Sequence, residues 1–314
     1  MDVDVSVVVA AWNVDAFLEA SIESALSQAG VNVEVLISDD FSTDGTVSVA
    51  DAISARDPRV VTLRAPRNGG PSAARNRAIA AAKGEWIAVL DADDRFEDNR
   101  LSSMISLARA KGADLVFDLF REVDETGEEL QGSRAPRYKA PQLWTLERWA
   151  RENIPSRSQH ASMPPGYLKP LIRTSFLRDA GVLYRETLRN SEDYVLVAEI
   201  LAAGGVAWVS DKIGYLYTRR EGSISHRIEP HHVEALLAAE REILAARDHQ
   251  LDDATTATLH ERIASLEDTL ACERIISALK KRDVVKIPQI LINRPRAIGP
   301  FGRWIGEVVA KRVS

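Results

Sequence analysis

The sequence predicts an α/β fold: a Rossmann-like, mainly parallel sheet flanked by helices, with a C-terminal helical extension. Three observations predict it. Val5–Ala11 is an unbroken apolar run, the pattern of a parallel strand covered on both faces. Strand-length apolar segments then alternate with segments of helical spacing as far as Val123, which is the pattern of βαβ units. Beyond Arg227 only helical spacing remains.

The elements follow in order. After Val5–Ala11, residues Leu18, Ile22, Ala25 and Leu26 recur at helical spacing. Val33–Ser38 reads as a second strand ending at Asp39-Asp40, and Ser42-Thr-Asp-Gly45 is turn chemistry before a helix over 47–55. Arg59–Leu63 is a third strand. The loop Arg67-Asn68-Gly69-Gly70 leads to Pro71, which suits a first helical position, and to an Ala-rich helix over 73–83 that Gly84 stops. Trp86–Leu90 is a fourth strand ending at Asp91, 99–111 a helix stopped by Gly112, and 114–123 a fifth strand. Residues 125–165 are polar and punctuated by Gly127, Gly132, Pro136, Pro141, Pro155, Pro164 and Pro165, and they predict a surface excursion or an acceptor-side segment. Order resumes over 166–177. A helix over 194–203 and short strands at 206–209 and 215–218 follow.

In the last part, Leu236, Ala239, Ile243 and Ala246 share a helical face, and Leu259, Ile263, Leu266 and Leu270 repeat at heptad-like spacing. Two heptads are too few for a coiled coil. The expectation is a helical hairpin packed on the main domain, with a homodimer interface as the alternative. The predicted organisation is a main domain over 1–226, its halves 1–124 and 125–226, and an extension over 227–314.

Composition excludes several classes. The 314 residues suffice for one large or two small domains, and 45% hydrophobic with 27% charged residues is ordinary for a soluble globular protein. A net charge of −6 argues against a nucleic-acid partner. A single cysteine, Cys272, excludes an intrachain disulfide and fits a reducing compartment. Residues 1–10 lack the cationic start of a signal peptide, and there is no run of 18 apolar residues. The expected location is cytoplasmic. Charge is uneven: from Lys280 to the end, nine Lys or Arg face only Asp283 and Glu307, a net of +7 that leaves −13 on the first 279 residues. Such asymmetry suggests a basic tail with an anionic partner.

The chemistry lies in acidic strand ends. Ligands of open parallel sheets bind outside the carboxyl ends of the strands. Asn13, Asp40 and Asp91 all stand at such ends, and Glu192-Asp193 forms a further acidic pair downstream. Converging carboxylates repel, so they call for a cation or a proton partner. An Asp-X-Asp such as Asp91-Ala-Asp93 can hold Mg2+ or Mn2+ through one or two carboxylates, with phosphate oxygens and water completing the octahedron. The implied ligand is a diphosphate. Gly69-Gly70 opening a helix suits an anion, and Arg75 and Arg77 lie in that helix. No Gly-X-Gly-X-X-Gly follows the first strand, and no phosphate-binding Gly-X4-Gly-Lys-Ser/Thr, His-Glu-X-X-His or Gly-X-Ser-X-Gly occurs.

Four segments, Val5–Asn13, Ser38-Asp39-Asp40-Phe-Ser-Thr-Asp44-Gly45, Asn68-Gly69-Gly70 with Ala74-Arg75-Asn76, and Gly84-Glu85-Trp86 with Leu90-Asp91-Ala-Asp93-Asp94, stand in the order and spacing of a known family. Over residues 3 to 220 the chain resembles the family 2 glycosyltransferases of GT-A fold, including those of succinoglycan-type exopolysaccharide assembly. One departure is Ala10-Ala11, where the family often has a proline. The resemblance implies inverting transfer of a hexose from a nucleotide-diphosphate sugar, typically a UDP-sugar, to a hydroxyl of a saccharide or lipid-linked saccharide. It implies that Asp40 binds the base, Asp93 ligates the metal, Asp91 serves the ribose or the metal shell, and Asp193 of Glu192-Asp193 is the general base. Arg219, Arg220 and His226 match a segment that covers the diphosphate. Gly166-Tyr167-Leu168-Lys169 borders the site with no assigned role.

Two other classes are weighed. A sugar nucleotidyltransferase would carry a glycine-rich, cationic loop after the first strand, which residues 10–15 lack. A non-catalytic sugar-nucleotide-binding protein is disfavoured by the intact Asp91, Asp93 and Asp193. Finally, Phe301, Trp304, Ile305 and Val308 share a helical side among cations, so residues 295–314 predict either an amphipathic contact with an anionic membrane surface, on the cytoplasmic face of the inner membrane, or a helix folded back on the domain.

Overall fold

The computed structural model describes residues 2–131, 135–155, 162–220, 229–247, 250–299 and 301–302. Strand β1 (Val5–Ala11) lies at the centre, with Val5, Val7, Val8 and Val9 fully buried, as its unbroken apolar run requires. It pairs in parallel with β2 (Val33–Asp39) and β4 (Trp86–Asp91), and β2 pairs in parallel with β3 (Val60–Arg64). The connecting helices are α1 (Asp15–Leu26), α2 (Thr46–Arg56) and α3 (Pro71–Ala81). The order β3-β2-β1-β4 reverses direction between β1 and β4, so a crevice opens at their carboxyl ends.

Beyond β4 the sheet becomes mixed. Helix α4 (Arg100–Lys111), ended by Gly112 at φ +60°, leads to β6 (Leu115–Val123). Between β4 and β6 lies β8 (Pro170–Arg173), antiparallel to both. The sequence hid this strand because it is four residues long and begins with proline, which is tolerated at a strand start. The two short strands expected near the end are one strand, β9 (Ala207–Thr218), which runs parallel to β6 with register shifts beside Asp118. Gly214 permits that approach, since a Cβ there would meet the Asp118 carboxylate. The two-residue β5 (Arg95–Phe96) closes the far edge against β9.

The polar stretch 125–165 is not only a surface excursion. Its residues 142–152 form β7 (Gln142–Trp144), paired with β9, and α5 (Leu146–Glu152), capped by the Thr145 hydroxyl. These bury Trp144 and Trp149, each good for about 1.5–3 kcal/mol or more of apolar burial, and composition alone does not reveal two core anchors among prolines. The Trp149 ring stacks on Phe117 of β6 at 5.3 Å and on Tyr194 at 5.9 Å, and its indole N–H donates to the Tyr194 carbonyl at 3.1 Å. Tyr194 belongs to the first turn of α7 (Glu192–Ala202), which follows α6 (Thr174–Ala180). Trp149 thereby fixes the helix start that carries Asp193.

Helices α8 (Pro230–Arg247) and α9 (Asp253–Lys280) pack on each other and on α7 and α5. Leu236, Ala239 and Ile243 of α8 and Leu259, Ile263, Leu266 and Leu270 of α9 are buried within the chain, so the heptad-like face is already covered intramolecularly, while Ala246 is exposed. Arg262 of α9 bonds Glu240 of α8 at 2.5 Å in a buried ion pair. A short helix, α10 (Ile287–Asn293), follows. Among the described residues no helix is long and apolar enough to cross a membrane. Most of the predicted amphipathic tail, residues 303–314, lies outside the described residues.

Candidate active site

The crevice at the β1/β4 reversal deepens into a cavity of about 690 Å³. Its lining includes Asp40, Arg75, Asp91, Asp93, Glu192, Asp193 and Arg220, so seven of the residues singled out in the sequence meet there.

At one end stands Asp40, just past β2. Its carboxylate accepts the backbone N–H of Gly69 at 3.0 Å and that of Gly70 at 2.6 Å, which ties the glycine loop to the strand tip. Gly70 adopts φ +88° and ψ 174°, a conformation essentially reserved for glycine. Arg77 stands back from Asp40 at 3.7 Å.

At the β4 tip, Asp91 Oδ1 accepts from Arg75 at 2.7 Å and Oδ2 from Lys169 Nζ at 2.8 Å. Burial opposes its ionisation, but Lys169 and Arg75 outweigh burial and hold its carboxyl far below the usual range. Lys169 also reaches Asp193 Oδ2 at 2.6 Å, and the Tyr184 hydroxyl donates to Asp193 Oδ1 at 2.9 Å. Arg75 bonds Glu192 at 2.7 Å and lies 3.7 Å from Asp193. For Asp193, burial raises proton affinity while Arg75 and Lys169 lower it, and the cations win. Lys169 itself is pinned through its main chain: Arg100, paired with Asp118 at 2.8 Å, donates to the Lys169 carbonyl at 2.7 Å.

Asp93 differs from its neighbours. Burial and the nearby Asp91 push its carboxyl up, against Arg220, whose Nε donates to it at 2.5 Å. Asp94 is pushed up further by burial and by Asp93 and Asp91, and it accepts from Tyr215 and from the Thr218 amide at 2.7 Å each. A buried carboxylate whose ionisation its surroundings oppose is a natural cation ligand. Among the described residues no cluster of three or more His, Cys, Asp or Glu is placed to cage a metal. The donor set instead suits Mg2+ or Mn2+ held by one or two carboxylates with diphosphate and water, with Asp93 the better direct ligand because both oxygens of Asp91 carry cations.

Two predicted residues stand elsewhere. Asn13, at φ +51°, accepts from the Thr43 amide at 2.8 Å and braces the loop after β2 without lining the cavity. Arg219 points to Glu122 at 2.6 Å, away from the cavity, because its N–H still pairs with the Val123 carbonyl just past β9 and carries on the strand's alternation of sides. His226 lies outside the described residues. Sequence reasoning assigned no role to Lys169 and missed Tyr184. The first sat in a motif of unassigned function, and the second carried no signal, since only folding brings it to Asp193.

Comparison with known proteins matches this geometry. Residues 6–177 fit the profile described as Glycosyl transferase family 2. The chain is also 39% identical over 296 residues, 94% of its length and 83% of the relative's, to succinoglycan biosynthesis protein ExoO of Rhizobium meliloti (strain 1021). The chain belongs to glycosyltransferase family 2. The transferase shares its fold with S. aureus TarS 1-349, solved in complex with UDP-GlcNAc, at a TM-score of 0.62 and 19% identity over 94% of this chain and 92% of that one. It shares it also with the mannosyltransferase PcManGT from Pyrobaculum calidifontis, solved with GDP-Man and Mn2+, at a TM-score of 0.60 and 16% identity over 100% of this chain and 81% of that one. It spans 43% of a longer S. aureus TarS chain. These are GT-A glycosyltransferases, and the transferase has their mixed α/β architecture with a helical C-terminal portion. The nucleotidyltransferase alternative falls with this membership.

Proposed function

We propose that this transferase moves a hexose, with inversion, from a nucleotide-diphosphate sugar, foremost a UDP-sugar, to a hydroxyl of a saccharide or lipid-linked saccharide in bacterial polysaccharide biosynthesis. The observation that carries this reading is the meeting of Asp193 with the strand tips of Asp40 and Asp91–Asp93 in one cavity. Family membership supports the donor class, and the naming of the relative from Rhizobium meliloti supports polysaccharide assembly.

In this reading residues 1–124 bind the donor, 125–226 carry the base and the acceptor side, and 227–314 are the extension. Asp40 takes the nucleobase, oriented by its amide bonds to the glycine loop. Arg220 and Arg75 face the diphosphate. Asp93, with Asp91 beside it, holds Mg2+ or Mn2+, which when bound offsets charge on the leaving group. The acceptor oxygen bonds the anomeric carbon as the carbon–oxygen bond to the diphosphate breaks, and the hydroxyl proton passes to the Asp193 carboxylate. One carboxylate suffices for this single displacement. Because Lys169 and Arg75 keep Asp193 ionised, the base is unprotonated at neutral pH.

The test is UDP release from a panel of UDP-sugars with Mn2+, comparing wild type with Asp193→Ala. UDP affinity should persist while turnover falls by roughly 10²–10⁴. Full turnover in the variant removes Asp193 as base, and no release from any nucleotide sugar turns the reading toward a binding protein.

A further inference from the structure

Helix α10 has the sequence Ile-Pro-Gln-Ile-Leu-Ile-Asn, and none of its residues is buried. One face of it, Ile287, Ile290 and Leu291, is half-buried against the chain, and Ile292 stands out on the other side. Its surroundings repeat the pattern: Val285 is 84% exposed, Ile292 74%, Ile298 57% and Val284 52%. The segment is nevertheless held in place, since Arg294 pairs with Glu267 of α9 and Ala297 is fully buried. Lys280, Lys281 and Arg282 precede the aliphatic stretch and Arg296 follows, with Asp283 the one acid between residues 280 and 299.

We propose that residues 280–298 dock the enzyme on an anionic lipid surface, with Val285, Ile292 and Ile298 entering the headgroup layer and the flanking cations meeting lipid phosphates. Aliphatics bracketed by cations are the composition of an element lying in a membrane interface. A second copy of the chain fits less well. Across a two-fold axis the stretch would pair with itself and bring its cations against those of the partner, with Asp283 the one acid within it to offset them. The contact lies largely upstream of the predicted tail over 295–314 in sequence. It deepens the reading of a lipid-linked acceptor, but it is measured by binding alone, so its failure leaves the transfer reaction standing.

The test is flotation of the full chain with phosphatidylcholine vesicles, with and without about one-third phosphatidylglycerol, at about 0.15 M salt. Wild type should float with the anionic vesicles only. Val285→Glu/Ile292→Glu and Lys280→Glu/Lys281→Glu/Arg282→Glu should each lower binding at least about tenfold, the second more steeply at low salt. UDP affinity and melting temperature should hold in both, because the altered side chains are exposed. Wild-type binding by either variant overturns the proposal, and so does equal flotation with neutral vesicles. A wild-type dimer in solution that the first variant dissociates assigns the surface to a second copy instead. Loss of binding together with UDP affinity assigns these residues to folding and also overturns it.

Discussion

The two ends of the cavity hold their carboxylates by opposite means. Asp40 is fixed by neutral backbone, the amides of Gly69 and Gly70, with Arg77 set back at 3.7 Å. Asp91 and Asp193 are fixed by charge, sharing Lys169 and leaning on Arg75. Backbone amides set direction and demand an unusual glycine conformation. Shared cations also set protonation, at the cost of burying two positive charges that only their partners justify. The first end is thus organised by shape and the second by charge.

Substitution can break this contrast. The largest effect is expected for Lys169→Met, which strips one of the two cations from Asp91 and Asp193. Breaking a buried ion pair costs about 3–5 kcal/mol, to be read by chemical denaturation. Because Lys169 lowers the proton affinity of Asp193, its removal raises that affinity, so the acid limb of the kcat/KM profile moves to higher pH. The folded-state shift of Asp91 and Asp193 is downward. Their stabilisation is therefore full above the unfolded value of about 4 and fades as pH falls below it, and the variant should lose this protection at a higher pH than wild type. An unmoved acid limb would equate the two ends.

Next in size is Gly70→Ala, which forces a side chain into a glycine-only conformation at about 1–3 kcal/mol. UDP affinity should drop by calorimetry, with no change in the pH profile. Asp40→Asn removes charge from the amide bonds, worth about 1.5–3 kcal/mol where the partner is charged, and again only donor affinity should suffer. The smallest effect on donor affinity is expected at Arg219→Ala: its guanidinium turns from the cavity to the buried Glu122, so UDP affinity should be unchanged and the loss should appear only in stability. Arg220→Ala, by contrast, uncovers Asp93 and should weaken UDP binding measurably.

The same contrast explains what could be read before the fold was known. Asp40, Asp91 and Asp93 announce themselves because each ends an apolar run, and strand ends converge in parallel sheets. The loop Asn68-Gly69-Gly70 also stands out in the sequence, but as a seat for a diphosphate, whereas the amides of Gly69 and Gly70 go to the Asp40 carboxylate. The other end depends on partners distant in sequence: Lys169 and Tyr184 reach Asp193 only through β8, α6 and the turn after it. Strand β8 was too short to show a period, and Trp144 and Trp149 were masked by prolines and charges around them. Arg219 and Arg220 were equal in sequence, and only the strand's alternation at its end separates them.

The stacked rings have a practical consequence. Phe117, Trp149, Tyr194 and the Arg262 guanidinium, 3.8 Å from the Tyr194 ring, form a column running from the sheet through α5 and α7 into α9. Its last plate comes from the extension, and its third sits next to Asp193. A chain cut after residue 226 would keep every acidic strand tip and still lose the bracket behind Asp193, so the helical extension helps hold the candidate site in shape.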